Sequence, residues 1–123
     1  MAFYNCNNLK AVHISDLVSW CNIDFSDLYA NPLYCAKNLY LNGELVTELI
    51  IPDDVTEIKN YAFYCCESIT SVVIPSNVTS IEDYAFHNCE NLKTVKNYSS
   101  LNLVKGSTDY GYVAYYADEV INM

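Results

Sequence analysis

Residues 46–68, VTELIIPDDVTEIKNYAFYCCES, are followed without a gap by ITSVVIPSNVTSIEDYAFHNCEN at 69–91, so one pattern is written twice at a step of 23 residues. The same residue types recur at Thr47/Thr70, Ile51/Ile74, Pro52/Pro75, Val55/Val78, Thr56/Thr79, Ile58/Ile81, Tyr61/Tyr84, Ala62/Ala85, Phe63/Phe86, Cys66/Cys89 and Glu67/Glu90. A fixed step of about 20–29 residues with aliphatic residues in L-x-x-L-x-L spacing reads as a solenoid, in which each repeat adds one rung to a continuous core. One rung cannot bury its own apolar face, so stability comes from stacking. Function then belongs to a surface.

The repeat also divides the chain. AFYNCNNLKAV at the N-terminus overlays AFHNCENLKTV at 85–95, so residues 1–14 read as a partial repeat that opens part-way through a rung, either as a segment of a longer protein, the reading favoured because a native solenoid end usually carries a polar cap, or as a short gene that starts there. Residues 15–45 form an insertion. Within it Ser15 or Asp16 caps a short helix through Leu17, Val18, Trp20 and Cys21, and YLNGEL at 40–45 carries the Asn-Gly pair of a two-residue hairpin turn. Trp20, Phe25, Leu28, Tyr29, Leu33 and Tyr34 are too apolar for a free loop and are expected to pack on the rungs. After the two full repeats, Leu92, Val95, Leu101 and Val104 continue the aliphatic spacing as a partial repeat, 92–104. Residues 105–123 lose the pattern; apolar spacing at Tyr112, Val113, Tyr116, Val120 and Ile121 predicts a helical cap or a junction to another module.

Each repeat predicts a strand ending at proline, with Ile69, Val72 and Ile74 directed inward, and a return segment burying Val78, Ile81, Ala85, Phe86 and Cys89. The strands stack in parallel. Their outward positions form a strip of Ala11 and His13, Glu48 and Ile50, Ser71 and Val73, then Thr94 and Lys96. His13, Glu48, Ile50, Ser71, Val73, Thr94 and Lys96 are the candidate binding residues.

Fifteen acidic residues against six basic ones leave a net charge of −9. That balance argues against nucleic acid and anionic membranes as partners, since both need concentrated Lys and Arg. No apolar run approaches the roughly 18 residues of a membrane span, and residues 1–20 lack the basic start and apolar stretch of a signal peptide. Cys6, Cys66 and Cys89 share one repeat position beside the Ala-Phe pair and are expected to be buried free thiols. Rungs about 4.8 Å apart fall within bonding range, but parallel side chains in one ladder are poorly directed for a bridge. Cys21 and Cys35 either pair or stay free. Cys65 replaces Asn88 of the next repeat and is expected near the surface.

Catalytic signals are weak. His87 takes the slot of Tyr64, and His87-x-Cys89 lacks the second half of a metal site. Asp53, Asp54, Glu57, Glu82 and Asp83 fall in turns and return segments, where solvated carboxylates are ordinary. No catalytic residue, metal or cofactor is expected. Tyr98, Tyr110, Tyr112, Tyr115 and Tyr116 form an aromatic group that serves either cap packing or contact.

The motif IP-x-x-VT-x-I-x-x-YAF-x-x-C-x-x-L resembles the BspA-type leucine-rich repeat family, known from bacterial cell-surface proteins and some protist surface proteins. The resemblance covers 46–98 and 1–16, and the insertion's Asn-Pro-Leu-Tyr and Leu-Tyr-Leu-Asn-Gly strings look like a variant repeat. It implies an α/β solenoid: a leucine-rich repeat with stacked parallel strands, one repeat enlarged by the insertion, and a C-terminal cap. It also implies a secreted or surface-displayed, non-enzymatic module that binds or adheres to a protein partner. Two other roles fit the same pattern, a structural spacer within a multidomain surface protein and a repeat fragment of an enzyme whose catalytic domain lies elsewhere.

Overall fold

The computed structural model describes residues 8–123; the ladder position expected for Cys6 lies outside them. Among the described residues nine short strands run in three sheets: β1 (Val12–Ile14), β2 (Leu39–Leu41) and β3 (Glu44–Leu45); β4 (Glu48–Ile50), β6 (Ser71–Ile74), β8 (Thr94–Asn97) and β9 (Glu119–Asn122); and β5 (Glu57–Ile58) with β7 (Ser80–Ile81). The four-stranded sheet has order β4-β6-β8-β9 with every pairing parallel, and β5 pairs parallel with β7. Consecutive strands lie side by side because each repeat returns the chain to its start one rung along.

Recurring threonines and two asparagines of the second repeat join the rungs. The Thr70 hydroxyl donates to the Thr47 carbonyl and the Thr79 hydroxyl to the Thr56 carbonyl, each across 23 residues. Asn77 Nδ2 donates to the Asp53 carbonyl and Asn91 Nδ2 to the Glu67 carbonyl. Inside, Phe63 stacks on Phe86 at 5.2 Å between ring centroids, and Ile69, Val72, Ile74, Val78, Ala85 and Cys89 are fully buried. Each large apolar side chain so buried contributes roughly 1.5–3 kcal/mol before entropy is counted.

The inserted segment joins this core. α1 (Leu17–Cys21) is capped by Asp16, whose carboxylate accepts from the Ser19 amide and hydroxyl. Trp20 Nε1 donates to the Ala62 carbonyl at 2.8 Å, and Asn31 Nδ2 donates to the Tyr61 carbonyl at 2.7 Å. A 3-10 turn (Leu28–Ala30) and α2 (Leu33–Ala36) follow, with Leu33 fully buried. Tyr34 stacks on Tyr64 and the Glu67 amide donates to the Lys37 carbonyl, so the end of the insertion supplies the rung before residues 61–67. β2 and β3 then form a hairpin through Asn42 and Gly43, both at positive φ.

Three expectations fail. Residues 105–123 form no helical cap: Tyr110, Gly111 and Tyr112 all adopt positive φ, which an α-helix does not tolerate, and β9 adds a further strand in register with β8. Val104 is 51 % exposed and Leu103 is buried in its stead: the turn after β8 is drawn in by the Asn97 side chain, which bonds Ser99 and Leu101, and the inward position comes one residue early. Cys65 is buried rather than near the surface. Its backbone has φ 61°, matching 62° at Asn88, and Asn88 Nδ2 approaches its sulfur at 3.8 Å.

Cys21, Cys65, Cys66 and Cys89 are free thiols, and Cys21 and Cys35 are not bridged to each other. Burial pushes the Cys21 thiol up to about 12 and Cys66 up to about 11, and holds Cys89 well above its ordinary value. The Cys89 thiol donates to the Phe63 carbonyl at 3.0 Å, one rung back.

Candidate functional site

Period-two alternation sends every second side chain of the four-stranded sheet away from the core, and the register arranges those side chains in two rows. Glu48, Ser71, Thr94 and Glu119 lie in one; Ile50, Val73, Lys96 and Ile121 lie in the other. Six of the seven candidate residues therefore come together. His13 does not join them, because β1 pairs with β2 of the inserted hairpin and not with β4. Its ring instead stacks on Tyr40 at 4.6 Å.

Glu119 and Ile121 belong to the face and are missed by sequence reasoning. The rung that carries them has Tyr-Gly-Tyr in place of Tyr-Ala-Phe, so the template fails at its most visible triplet. A signal was present nonetheless. The Gly111 carbonyl accepts from Phe86 at 2.8 Å as the Ala85 carbonyl accepts from Phe63 at 2.7 Å, and Tyr112 stacks on Tyr84. Tyrosine beside a small residue was enough for a corner.

The face mixes apolar and charged groups. Ile50 is 58 % exposed, a large value for isoleucine in a strand, and Val73 beside it is half-buried. Lys96 Nζ lies 3.5 Å from Glu48 Oε2, an exposed ion pair worth under about 1 kcal/mol. Two grooves flank the rows. One, of about 320 Å³, is lined by Leu17, Leu41, Glu44, Leu45 and residues 46–50; the other, of about 340 Å³, by Asp53, Val73, Pro75, Ser76 and Tyr98.

The residues with catalytic potential are engaged in rung-to-rung packing. His87 stacks on Tyr64 at 5.5 Å and meets Tyr84 and Tyr112 edge-on, and its burial lowers its pKa. Its Nδ1 is buried without a hydrogen-bond partner. Lys59 hydrogen-bonds Glu57 at 2.5 Å and lies 3.9 Å from Glu82, which raises its pKa, chiefly through the Glu57 bond. Among the described residues no group of three His, Cys, Asp or Glu could hold a metal ion. The tyrosines divide. Tyr112, Tyr115 and Tyr116 extend the ring column edge-to-face, whereas Tyr98 stands apart beside Pro75.

Comparison with known proteins gives one finding. The family model described as BspA type leucine rich repeat region, six copies, matches residues 19–108. No curated protein and no solved structure matches the chain. No helix among the described residues is long and apolar enough to cross a membrane.

Proposed function

Because the chain belongs to the BspA-type leucine-rich repeat family, we propose that it is a non-enzymatic protein-interaction module of a secreted or surface-displayed bacterial protein, and that its contact face is the outward side of β4, β6, β8 and β9. The observation that carries this reading is the pair of registered rows, in which Ile50 and Val73 sit adjacent and accessible among Glu48, Ser71, Thr94 and Lys96. Desolvated apolar anchors near the centre of an interface, ringed by polar groups, supply most of its binding energy. Adhesion to another cell or to an extracellular matrix is the use that such a face would serve.

The test is retention of partners from host-cell and bacterial extracts by the immobilised protein. Ile50→Asp combined with Val73→Asp is expected to keep the circular-dichroism spectrum and melting temperature, because both side chains point away from the core, and to lose whatever the wild type retains. If the wild type retains nothing above background, the chain is a spacer. If the folded double variant still binds, the contact lies elsewhere on the solenoid.

A further inference from the structure

β4 is an edge strand with one side unpaired among the described residues. The Thr47 carbonyl accepts from the Thr70 and Ser71 amides, and the Ile51 amide donates to the Val73 carbonyl. Residues 47, 49 and 51 thus turn their backbone polar groups toward β6. By the alternation of a parallel ladder, the N–H and C=O of Glu48 and Ile50 point the opposite way. In an uninterrupted stack the strand of the preceding rung would pair there, but β1 is diverted to β2 by the hairpin.

Along this open edge runs the groove of about 320 Å³. Leu17 and Leu41 contribute apolar surface, Leu45 is 43 % exposed, and Glu44 and Glu48 stand exposed beside it. Natural sheets guard such edges with charged side chains, proline, bulges or a covering loop; on β4 the outward residues are Glu48 and Ile50, with Glu44 of β3 across the groove, a guard of one sign only.

We propose that the free edge of β4 binds an extended, lysine- or arginine-containing segment of a protein partner as an added parallel or antiparallel strand. This deepens the interaction reading and rests on it. Backbone hydrogen bonds to Glu48 and Ile50 would hold the segment, alternate side chains would enter the groove over Leu17 and Leu41, and basic side chains would meet Glu44 and share or replace the exposed Lys96 contact at Glu48. A second copy of this chain is the poorer occupant. Its β9, docked so as to continue the stack, would set Glu119 directly opposite Glu48, and like charges so placed repel.

The probe is a blocked peptide of about eight residues alternating Lys and Val, long enough to span a strand of ordinary length. Backbone amide NMR and hydrogen exchange are read on the whole chain. The free protein is expected to exchange the Glu48 and Ile50 amides rapidly, and the peptide to shift and protect them. Glutamate in place of the peptide's lysine, N-methylation of its alternate amides, and Glu48→Lys in the protein should each weaken binding by at least about tenfold. Ile50→Pro removes an N–H the fold does not use, so the variant should fold and bind no peptide.

No binding of the Lys–Val peptide, equal binding of the N-methylated form, or amides of Glu48 and Ile50 already protected in the free protein would each overturn the inference. So would self-association in sedimentation that places the Glu48 and Ile50 amides in the contact. Shifts confined to Ser71, Val73, Thr94 and Lys96 would overturn it too, while leaving the outward face as the interaction surface.

Discussion

At the scale of single residues, the corners of the solenoid are set by backbone conformation as much as by side-chain type. Tyr61 and Tyr84 share one left-handed position, φ 59° and 58°, and Cys65 and Asn88 share another. Only the second pair contains a residue that favours such a backbone, since asparagine enters the left-handed region more readily than other non-glycine residues. Cysteine at 65 was legible as the partner of Asn88, but its burial was not, because Asn88 announces a turn and turns are usually exposed. The side chains of Tyr64 and Asn88 hydrogen-bond its sulfur. Cys65→Asn is expected to stay within about 0.5 kcal/mol of wild type, whereas Cys65→Val, branched at Cβ, should cost about 1–2 kcal/mol. Chemical denaturation of the two variants distinguishes them, and equal midpoints would contradict the left-handed assignment.

At the scale of elements, the inward and outward pattern of β4, β6 and β8 was readable because the aliphatic spacing repeats without error from 46 to 95. Where the spacing slips, reading failed for a local reason. Leu103 and Val104 are adjacent aliphatics, and sequence alone does not say which of two neighbours faces in once the connection changes length. The end of the chain misled differently: tyrosine-rich residues at helical spacing fit a helix, although the same residues satisfy a rung when the backbone turns left-handed between them. His13 was placed on the wrong sheet because a hairpin can divert a strand's pairing without changing its composition. Gly111 tests the C-terminal rung directly. A Cβ there would lie 2.6 Å from the Glu82 carbonyl oxygen and 2.8 Å from the Ala85 amide nitrogen, on a backbone at φ +66°. Gly111→Ala should therefore destabilise by about 1–3 kcal/mol, where a helical cap would gain roughly 1 kcal/mol from the same change. The sign of the shift in melting temperature decides between them.

At the scale of the whole molecule, buried groups with raised pKa values make stability fall at alkaline pH. Cys66 titrates at about 11, and Cys21 and Tyr64 at about 12, all raised first by burial. Their values in the unfolded chain are about 8.5 for cysteine and 10 for tyrosine. A proton held more tightly in the folded state favours folding, and that contribution is complete below the unfolded value and lost as pH climbs through the folded one. Each tenfold difference in proton affinity is worth about 1.4 kcal/mol. The melting temperature is expected to fall steadily from about pH 9 toward about pH 12. Cys66→Ala should flatten the lower part of that fall while lowering stability at neutral pH. A melting temperature constant to pH 11 would mean that the thiols are not buried in solution.

The threonine and asparagine side-chain bonds from repeat 69–91 to repeat 46–68 all run one way. Thr70, Asn77, Thr79 and Asn91 each donate to a backbone carbonyl of the rung before, so each copy of this repeat would bring one set of donors and leave one set of backbone acceptors for its successor. A duplicated repeat spliced between two others arrives already matched on both sides, whereas a cut inside a repeat leaves donors on one fragment and acceptors on the other. Such a gene can grow or shrink by whole units through simple duplication or loss, and its product can change length, and with it the extent of the outward face, without any new residue having to be selected to repair the join.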